Sequence, residues 1–239
     1  MWILRVNNLA KRFFQGRLLS SSKEVFSLRG VNLELEERGV YGLVGKTGSG
    51  KTTLGKILCG LLSYDEGEVI WNPQFIKART QVQMIFQNAY ASFNPLWSMK
   101  ESLFEALRNS RINFREGLED KILPLMREMN LSQGLLKSFP SQLSGGQLQR
   151  FCILRALLLE PKVLVCDEIV SALDLESQVL ILGILRELNK KNLTIIFISH
   201  DLRVVYNLCD EIFFLKDGTL KEHILKRESS LEDLLDAQS

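Results

Sequence analysis

The fold of this chain is decided by one stretch of sequence, Gly45-Lys46-Thr47-Gly48-Ser49-Gly50-Lys51-Thr52-Thr53. The stretch matches the phosphate-binding loop pattern, in which a glycine opens the loop and Gly-Lys-Thr closes it. Glycines let the backbone curl so that successive N–H groups point at a phosphate chain, and the helix that follows adds the positive end of its dipole. The pattern predicts that Lys51 reaches the β- and γ-phosphates of a nucleotide and that the Thr52 hydroxyl binds Mg²⁺, with the rest of the stretch lining the nucleotide.

The sequence around the loop has the order that such a site requires. Val40 to Val44 is an apolar run that predicts a short buried strand, and Thr53 to Cys59 has the apolar spacing of a helix. The alternative is a chance glycine-rich turn, which is disfavoured because a strand comes directly before the loop and a helix directly after it. We therefore expect an α/β fold built around a nucleotide site.

Composition places the chain among ordinary globular proteins. It has 239 residues, of which 46% are hydrophobic and 24% charged, and this length suits one large domain or two small ones. The formal net charge of +2 gives no sign of a nucleic-acid surface. No apolar run approaches the length of a membrane span, so action at a membrane would require docking on another chain. The scattered cysteines resemble small buried hydrophobes rather than a disulfide or metal framework: Cys59, Cys152, Cys166 and Cys209.

Apolar runs and apolar–polar alternation predict further strands on both sides of the loop. These are Trp2–Val6, Val31–Glu36, Glu68–Trp71, Val82–Phe86, Lys162–Cys166, Leu193–Ile198 and Glu211–Leu215. Strands that alternate with helices indicate one α/β domain over residues 1–239, with a mostly parallel sheet.

The sequence changes character between Ser92 and Glu160, where helical spacing replaces the strand signals. We expect a helical subdomain, residues 92–160, inserted into a core formed by residues 1–91 and 161–239. Near the end of the chain, Lys216-Asp217-Gly218 predicts a hairpin turn, and a short amphipathic helix is expected from Glu228 onward.

A second chemical element follows the apolar run Val163-Leu164-Val165-Cys166, which ends in the carboxylates of Asp167 and Glu168. At the carboxyl end of a parallel strand, Asp167 can hold Mg²⁺ directly or through water. Glu168 would then polarise an attacking water as a general base. The alternative is that the two carboxylates only cap the next helix, and their combination with a phosphate loop makes this a minor possibility.

A third element is Leu143-Ser144-Gly145-Gly146-Gln147, and here the chain resembles the ATP-binding-cassette (ABC) ATPases, whose signature is this pentapeptide. A serine and two glycines before a helix form an anion-binding nest. The resemblance implies an ABC ATPase fold: a phosphate-loop NTPase domain with a mostly parallel core sheet, an antiparallel N-terminal β part and an inserted helical subdomain. It also implies that Ser144, Gly145, Gly146 and Gln147 contact the ATP held by a partner domain in a head-to-tail dimer.

Other residues match the family's elements in order. The resemblance implies that Gln87 senses Mg²⁺ and water, that Asp174 in Ser171-Ala172-Leu173-Asp174 crosses the dimer interface, and that His200 contacts the γ-phosphate. Phe13 resembles the aromatic residue that stacks on adenine, with Phe14 and Phe26 as alternatives and a role in the core as a further alternative. His223 lies outside these motifs, and a structural role is expected for it.

The segment after Gln87 narrows the resemblance to the peptide/nickel importer ATPases. In that family it usually reads Asp-Pro-Tyr-x-Ser-Leu-Asn-Pro, and this chain has Asn88-Ala89-Tyr90-Ala91-Ser92-Phe93-Asn94-Pro95. Departures are Asn88, Ala89 and Phe93 here, Ile169 where proline is usual, Lys46 where the loop commonly has an acidic residue, and Leu148 where arginine is usual. The chain ends soon after His223, without the cysteine-containing extension of many peptide-importer ATPases, which favours the nickel or metal-chelate members.

The resemblance implies an ATPase that uses ATP and Mg²⁺ to drive uptake of nickel or metal chelates, or of di- and oligopeptides. Its expected partners are a second related ATPase subunit, with a homodimer as the alternative, two transmembrane permeases and an extracytoplasmic binding protein, and no nucleic acid. The expected location is peripheral, at the cytoplasmic face of the inner membrane. The alternatives are a soluble ABC ATPase that acts on nucleic acid or the ribosome, and the ATPase of an exporter.

Overall fold

The N-terminal part of the protein is a small antiparallel sheet. The computed structural model describes residues 1–15, 23–77, 79–109 and 118–225. Strands β1 (Trp2–Gln15), β2 (Lys23–Glu36) and β4 (Glu66–Trp71) form a three-stranded sheet in the order β2-β1-β4. Both pairings are antiparallel, with several register shifts along β1. The pairing of β1 with β2 extends beyond the predicted apolar runs, because backbone hydrogen bonding continues through polar residues.

The second sheet carries the phosphate loop. It contains β3 (Val40–Val44), β5 (Val82–Ile85), β6 (Val163–Asp167), β7 (Thr194–Ser199), β8 (Glu211–Lys216) and β9 (Thr219–Leu225). Their order is β5-β6-β7-β3-β8-β9, and every pairing is parallel except that of β8 with β9. All residues of β3, β6 and β7 are buried, which is why their sequences are continuous apolar runs. The α/β prediction, with a mostly parallel sheet and an antiparallel N-terminal part, is confirmed.

Helices cover the parallel sheet, and three of them lie between β5 and β6 along the chain. They are α1 (Lys51–Leu58), α2 (Met99–Asn109), α3 (Leu118–Glu128), α4 (Gly145–Leu157), α5 (Leu175–Lys190) and α6 (Leu202–Leu208). Helices α2, α3 and α4, with two short 3₁₀ turns, lie in the stretch where strand signals disappear, and the described residues of that stretch contain no strand.

Two apolar clusters hold these layers together. One joins the inserted helices and α5 to the parallel sheet and includes the fully buried Phe151 and Phe197. The other packs the antiparallel sheet and α1 against the parallel sheet and includes Leu4 and Leu54. Each fully buried side chain of this kind contributes about 1.5–3 kcal/mol relative to exposure. The central strands are therefore fixed on both faces, which also fixes where their carboxyl ends lie.

The hairpin predicted at Lys216-Asp217-Gly218 joins β8 to β9. Asp217 and Gly218 have φ angles of 51° and 75°, the positive values that a tight two-residue hairpin turn requires. The helix predicted from Glu228 onward lies outside the described residues. Among the described residues, no helix combines the length and the apolar character needed to cross a membrane.

Candidate nucleotide site

Four of the predicted elements of the site lie at one edge of the parallel sheet. The phosphate loop follows β3, the Asp167–Glu168 pair ends β6, and His200 follows β7, whereas Gln87 comes shortly after β5. These strands are neighbours in the order β5-β6-β7-β3 and run parallel, so their carboxyl ends meet at this edge. This is the place where open α/β sheets bind ligands.

The phosphate loop has a backbone that only glycine tolerates at several points. Gly48 and Gly50 have φ angles of 84° and 107°, in the left-handed region. At Gly45 an ideal Cβ would lie 2.1 Å from the backbone oxygen of Leu215, so a side chain there would displace β8. The loop is therefore held against the neighbouring strand while Lys46, Thr47 and Gly48 remain exposed.

Lys51 spans the inside of the loop. Its Nζ donates hydrogen bonds to the carbonyl oxygens of Gly45 at 2.7 Å and Lys46 at 3.0 Å, and the residue is only 5% exposed. Burial lowers the pKa of Lys51, while the nearby charges of Glu168 and Asp167 oppose that change. A cation held in this position is suited to an anionic ligand in the loop.

The side chains of Thr52 and Asp167, both predicted to bind Mg²⁺, lie next to each other. The Thr52 hydroxyl donates to Oδ1 of Asp167 at 3.0 Å. Burial raises the pKa of Asp167, and the bond from Thr52 partly counters this. A hydroxyl and a carboxylate side by side are the hard oxygen ligands that Mg²⁺ prefers. Among the described residues, no group of three or more His, Cys, Asp or Glu side chains is arranged to hold a metal ion.

Glu168 is the centre of the site. Gln87 Nε2 donates to its Oε2 at 3.4 Å, and His200 Nδ1 lies 3.1 Å from the same oxygen. The side chain is 16% exposed, and the backbone has φ of 49°, a strained value of the kind that clusters at functional sites. Its carbonyl oxygen accepts hydrogen bonds from the backbone and the hydroxyl of Ser171. Ile169 is buried in the apolar core directly after it.

The signature residues form the N-terminus of α4. Ser144 Oγ accepts from the Gln147 N–H at 3.2 Å, and Gln147 Oε1 accepts from the Ser144 N–H at 2.9 Å, so the pair forms a capping box. Gly146 packs against Ser177 of α5, whose N-terminus is capped by Asp174. The structure thus brings Asp174 close to the signature. No hydrogen bond among the described residues joins either of them to the phosphate loop.

The aromatic candidates differ in their surroundings. Phe13 is 41% exposed, with Lys11 Nζ 5.6 Å from its ring centre. Guanidinium groups of Arg12 and Arg29 lie 5.2 and 4.6 Å from the ring centre of Phe26. Both rings thus contact cations, and Phe13 presents an exposed ring while that of Phe26 is partly buried. The side chain of Phe14 lies outside the described residues.

Ser27 and His223 make contacts outside the group formed by Gln87, Glu168 and His200. Thr53 Oγ1 accepts from the Ser27 hydroxyl at 2.8 Å, which ties α1 to β2. Sequence reasoning missed Ser27, because no local pattern marks a partner in a different sheet. His223 lies 2.7 Å from Glu211 and stacks on Phe213 with ring centres 4.4 Å apart, consistent with the structural role expected for it.

Comparison with known proteins shows which family this chain belongs to. The family model described as ABC transporter matches residues 28–171. The oligopeptide transport ATP-binding protein OppF of Salmonella typhimurium is 36% identical over 207 residues, which cover 82% of this chain and 62% of that protein. The chain thus spans about three fifths of the length of that relative. The nickel import ATP-binding protein NikE of Shigella boydii is 32% identical over 232 residues, covering 93% of this chain and 87% of that protein.

A solved structure is similar over nearly the whole chain. It is the dimeric structure of a post-hydrolysis state of an ATP-binding cassette bound to ADP and Pi. The TM-score is 0.80 with 26% sequence identity, and the match covers 94% of this chain and 99% of that one.

Proposed function

Because the chain belongs to the ABC transporter family, we propose that it is an ATP-hydrolysing subunit of an importer. The observation that carries this proposal is the Glu168 carboxylate, held between Gln87 and His200 at the strand end next to the phosphate loop. A scaffold that only binds nucleotide has no need of a carboxylate positioned in this way. The names of the relatives suggest two cargo classes, nickel or its chelates and oligopeptides.

In the proposed reaction the chain positions ATP and accepts a proton. The loop N–H groups and Lys51 bind the phosphates, and Phe13 stacks on adenine. Glu168 Oε2 accepts a proton from a water molecule whose oxygen attacks the γ-phosphorus. As that bond forms, the bond from the γ-phosphorus to the bridging oxygen breaks, which leaves ADP and inorganic phosphate. His200 and Gln87 orient Glu168 and contact the γ-phosphate.

Mg²⁺ would be held by Thr52, Asp167 and Gln87, and it would supply positive charge that offsets the charge of the phosphates. The oxygen ligands of Thr52 and Asp167 fit this ion. Lys46 would add another positive charge at the mouth of the loop.

The proposed assembly is a head-to-tail dimer with a second, related ATPase subunit. In support of this dimer, the signature residues Ser144–Gln147 lie at the N-terminus of α4, where backbone N–H groups can bind an anion, and among the described residues none of them bonds to the loop of its own chain. Asp174 would contact the partner at the same interface. The dimeric state of the similar solved structure supports this arrangement.

We further propose that a helical subdomain, residues 92–160, sits between the two parts of the core, residues 1–91 and 161–239. Two membrane permeases would dock near Gln87 and this subdomain, at the cytoplasmic face of the membrane. An extracytoplasmic binding protein would deliver the cargo.

Glu168→Gln tests the catalytic assignment. The variant keeps the shape of the side chain but cannot accept the proton, so we expect ATP binding to persist while phosphate release falls by about 10²–10⁴-fold. The dimer should remain closed around ATP, which size-exclusion chromatography would detect. Glu187→Gln makes the same change on the exposed surface of α5 and should hydrolyse ATP at the normal rate. Normal turnover by Glu168→Gln would remove Glu168 from this role.

Purification of the tagged chain from its own membranes tests the importer assignment. Gentle detergent extraction followed by mass spectrometry should identify two multi-span proteins, a second ATPase and a binding protein. The binding protein can then be titrated with nickel chelates and with peptides to identify the cargo. Recovery of ribosomes or DNA-associated proteins without any permease would contradict the transport proposal while leaving the ATPase assignment in place.

A further inference from the structure

Helix α4 connects two separate parts of the proposed site. Its N-terminus carries the signature residues, and its last turn carries Arg155. Ser144 and Arg155 are eleven positions apart, which corresponds to about 16 Å along a helix. Between them Phe151, Ile153 and Leu154 are completely buried. A helix packed in this way moves as a rigid unit, because close-packed interiors transmit displacement rather than absorb it.

Arg155 holds the chain segment that follows Gln87. Its Nη1 donates to the carbonyl oxygen of Ser92 at 2.5 Å, and its guanidinium lies 4.5 Å from the ring centre of Phe93. One turn earlier on α4, Cys152 Sγ lies 3.9 Å from the carbonyl oxygen of Ala89. Arginine fixes a carbonyl and an aromatic ring together because its planar group both donates hydrogen bonds and stacks.

The ring of Phe93 gives Arg155 a second attachment to the segment. Its π face lies 4.5 Å from the guanidinium, whereas a leucine at this position would offer no π face. Phe93 is only 6% exposed, so its ring stays in place beside Arg155. Both the hydrogen bond to Ser92 and the stacking on Phe93 therefore join α4 to the segment.

Local hydrogen bonds connect Ser92 and Ala91 to Asn88, the residue that follows Gln87. Ser92 Oγ donates to the Asn88 carbonyl oxygen at 3.1 Å, and the Ala91 N–H donates to Asn88 Oδ1 at 3.0 Å. Asn88 directly follows Gln87, whose amide reaches Glu168 at 3.4 Å. That distance is long for an N–H···O hydrogen bond, so a displacement of the segment would change the contact between Gln87 and Glu168.

We propose that Arg155 is a positioning residue that couples α4 to Gln87. The inference rests on the proposed function, in which the N-terminus of α4 binds the partner's ATP. When that nest closes on ATP, α4 moves as a unit, and Arg155 carries the segment from Ala89 to Phe93 with it. Gln87 then takes up its position against Glu168. ATP bound at one site of the dimer thereby prepares the other site for hydrolysis.

A double-mutant cycle tests whether Arg155 acts through Gln87. Arg155→Met removes the charge and the donor at similar length, and we expect kcat to fall about tenfold, as for loss of a charged hydrogen bond, with KM for ATP almost unchanged. Arg155→Lys keeps a donor and should recover most of the activity. Phe93→Leu removes only the stacking, so a loss of about two- to fivefold is expected. In a Gln87→Ala background, Arg155→Met should have little further effect.

Arg186→Met is the matched control, since Arg186 Nη2 donates to the Asn207 carbonyl oxygen at 2.8 Å on another helix. It removes an arginine–carbonyl bond elsewhere and should leave kcat at the wild-type value. An equal loss from Arg155→Met in both the wild-type and Gln87→Ala backgrounds would overturn the proposal, as would full activity of a folded Arg155→Met variant.

Hydrogen exchange gives a readout that does not depend on hydrolysis. Arg155→Met should speed exchange at the amides of residues 89–93 in the full chain, whereas Arg186→Met should not. Unchanged exchange in this segment would overturn the proposal even if the wild-type chain hydrolyses ATP. Absence of hydrolysis by the wild-type assembly would instead refute the proposed function, and the exchange result would then decide by itself whether Arg155 holds the segment.

Discussion

The contact between the start of α4 and the start of α5 gives a sharp stability prediction. An ideal Cβ on Gly146 would lie 2.5 Å from Ser177 Oγ and 2.9 Å from Ser177 Cβ. Distances this short require one helix to move, and overpacking of this kind costs about 1–3 kcal/mol. Alanine gains at most about 1 kcal/mol over glycine in a helix. We therefore expect Gly146→Ala to lower the free energy of unfolding by about 1–2 kcal/mol.

A second substitution should reverse the sign of this effect. In a Ser177→Gly background the nearest atom of that residue to the new methyl group is its Cα, at 3.9 Å, which is an ordinary contact. There Gly146→Ala should be neutral or stabilise the protein by up to about 1 kcal/mol, since only the helix preference remains. Ser177→Gly alone should be destabilising, because it removes the hydroxyl bonded to Asp174.

Equilibrium unfolding in urea, followed by circular dichroism, measures all four proteins of this cycle. Gly145→Ala is the neighbouring control, because its ideal Cβ meets only the flexible end of Leu173 at 3.2 Å, and its cost should be smaller. If Gly146→Ala lowers the free energy of unfolding equally with serine or glycine at position 177, the two helices do not meet as described, and the reasoning is refuted.

Three further predictions concern a surface carboxylate, two buried thiols and an exposed aromatic ring. The Arg12 N–H lowers the pKa of Asp65, so Asp65→Asn should lower the free energy of unfolding at pH 7 by up to about 1 kcal/mol for this part-exposed group. In urea unfolding, the difference from wild type should shrink as the pH falls below ~4, where the carboxylate is lost. A pH-independent difference would contradict this prediction. Burial raises the pKa of Cys59 to about 12 and of Cys152 to about 11. Both thiols should therefore react with iodoacetamide at pH 8 at least about 100-fold more slowly in the native chain than in urea. Comparable rates would show that the thiols are exposed. Phe13→Ala should weaken ATP binding about tenfold in a fluorescence titration, whereas Phe13→Tyr should bind ATP normally, because stacking needs only an aromatic face. Normal ATP affinity of Phe13→Ala would show that Phe13 does not stack on adenine.

Features of this protein that depend on local geometry could be predicted from the sequence alone. The loop from Gly45 to Thr53 could be recognised because its glycines are required by a backbone curl that neighbouring residues create. The strands β3, β6 and β7 could be predicted within a residue or two, because burial on both faces requires an apolar run. Asp167 could be placed at a strand end for the same reason. Each of these features is encoded by residues next to one another.

Which distant side chains meet depends on the complete fold. Gln87 and Glu168 are 81 positions apart, and His200 is 32 positions from Glu168. Gln87 and His200 nevertheless contact the same carboxylate oxygen of Glu168. The bond from Arg155 to Ser92 spans 63 positions, and nothing in the local sequence of either residue points to the other. Such contacts depend on the order of strands in the sheet and on the packing of helices against it. They are set by the burial of the whole core, which no short stretch of sequence specifies alone.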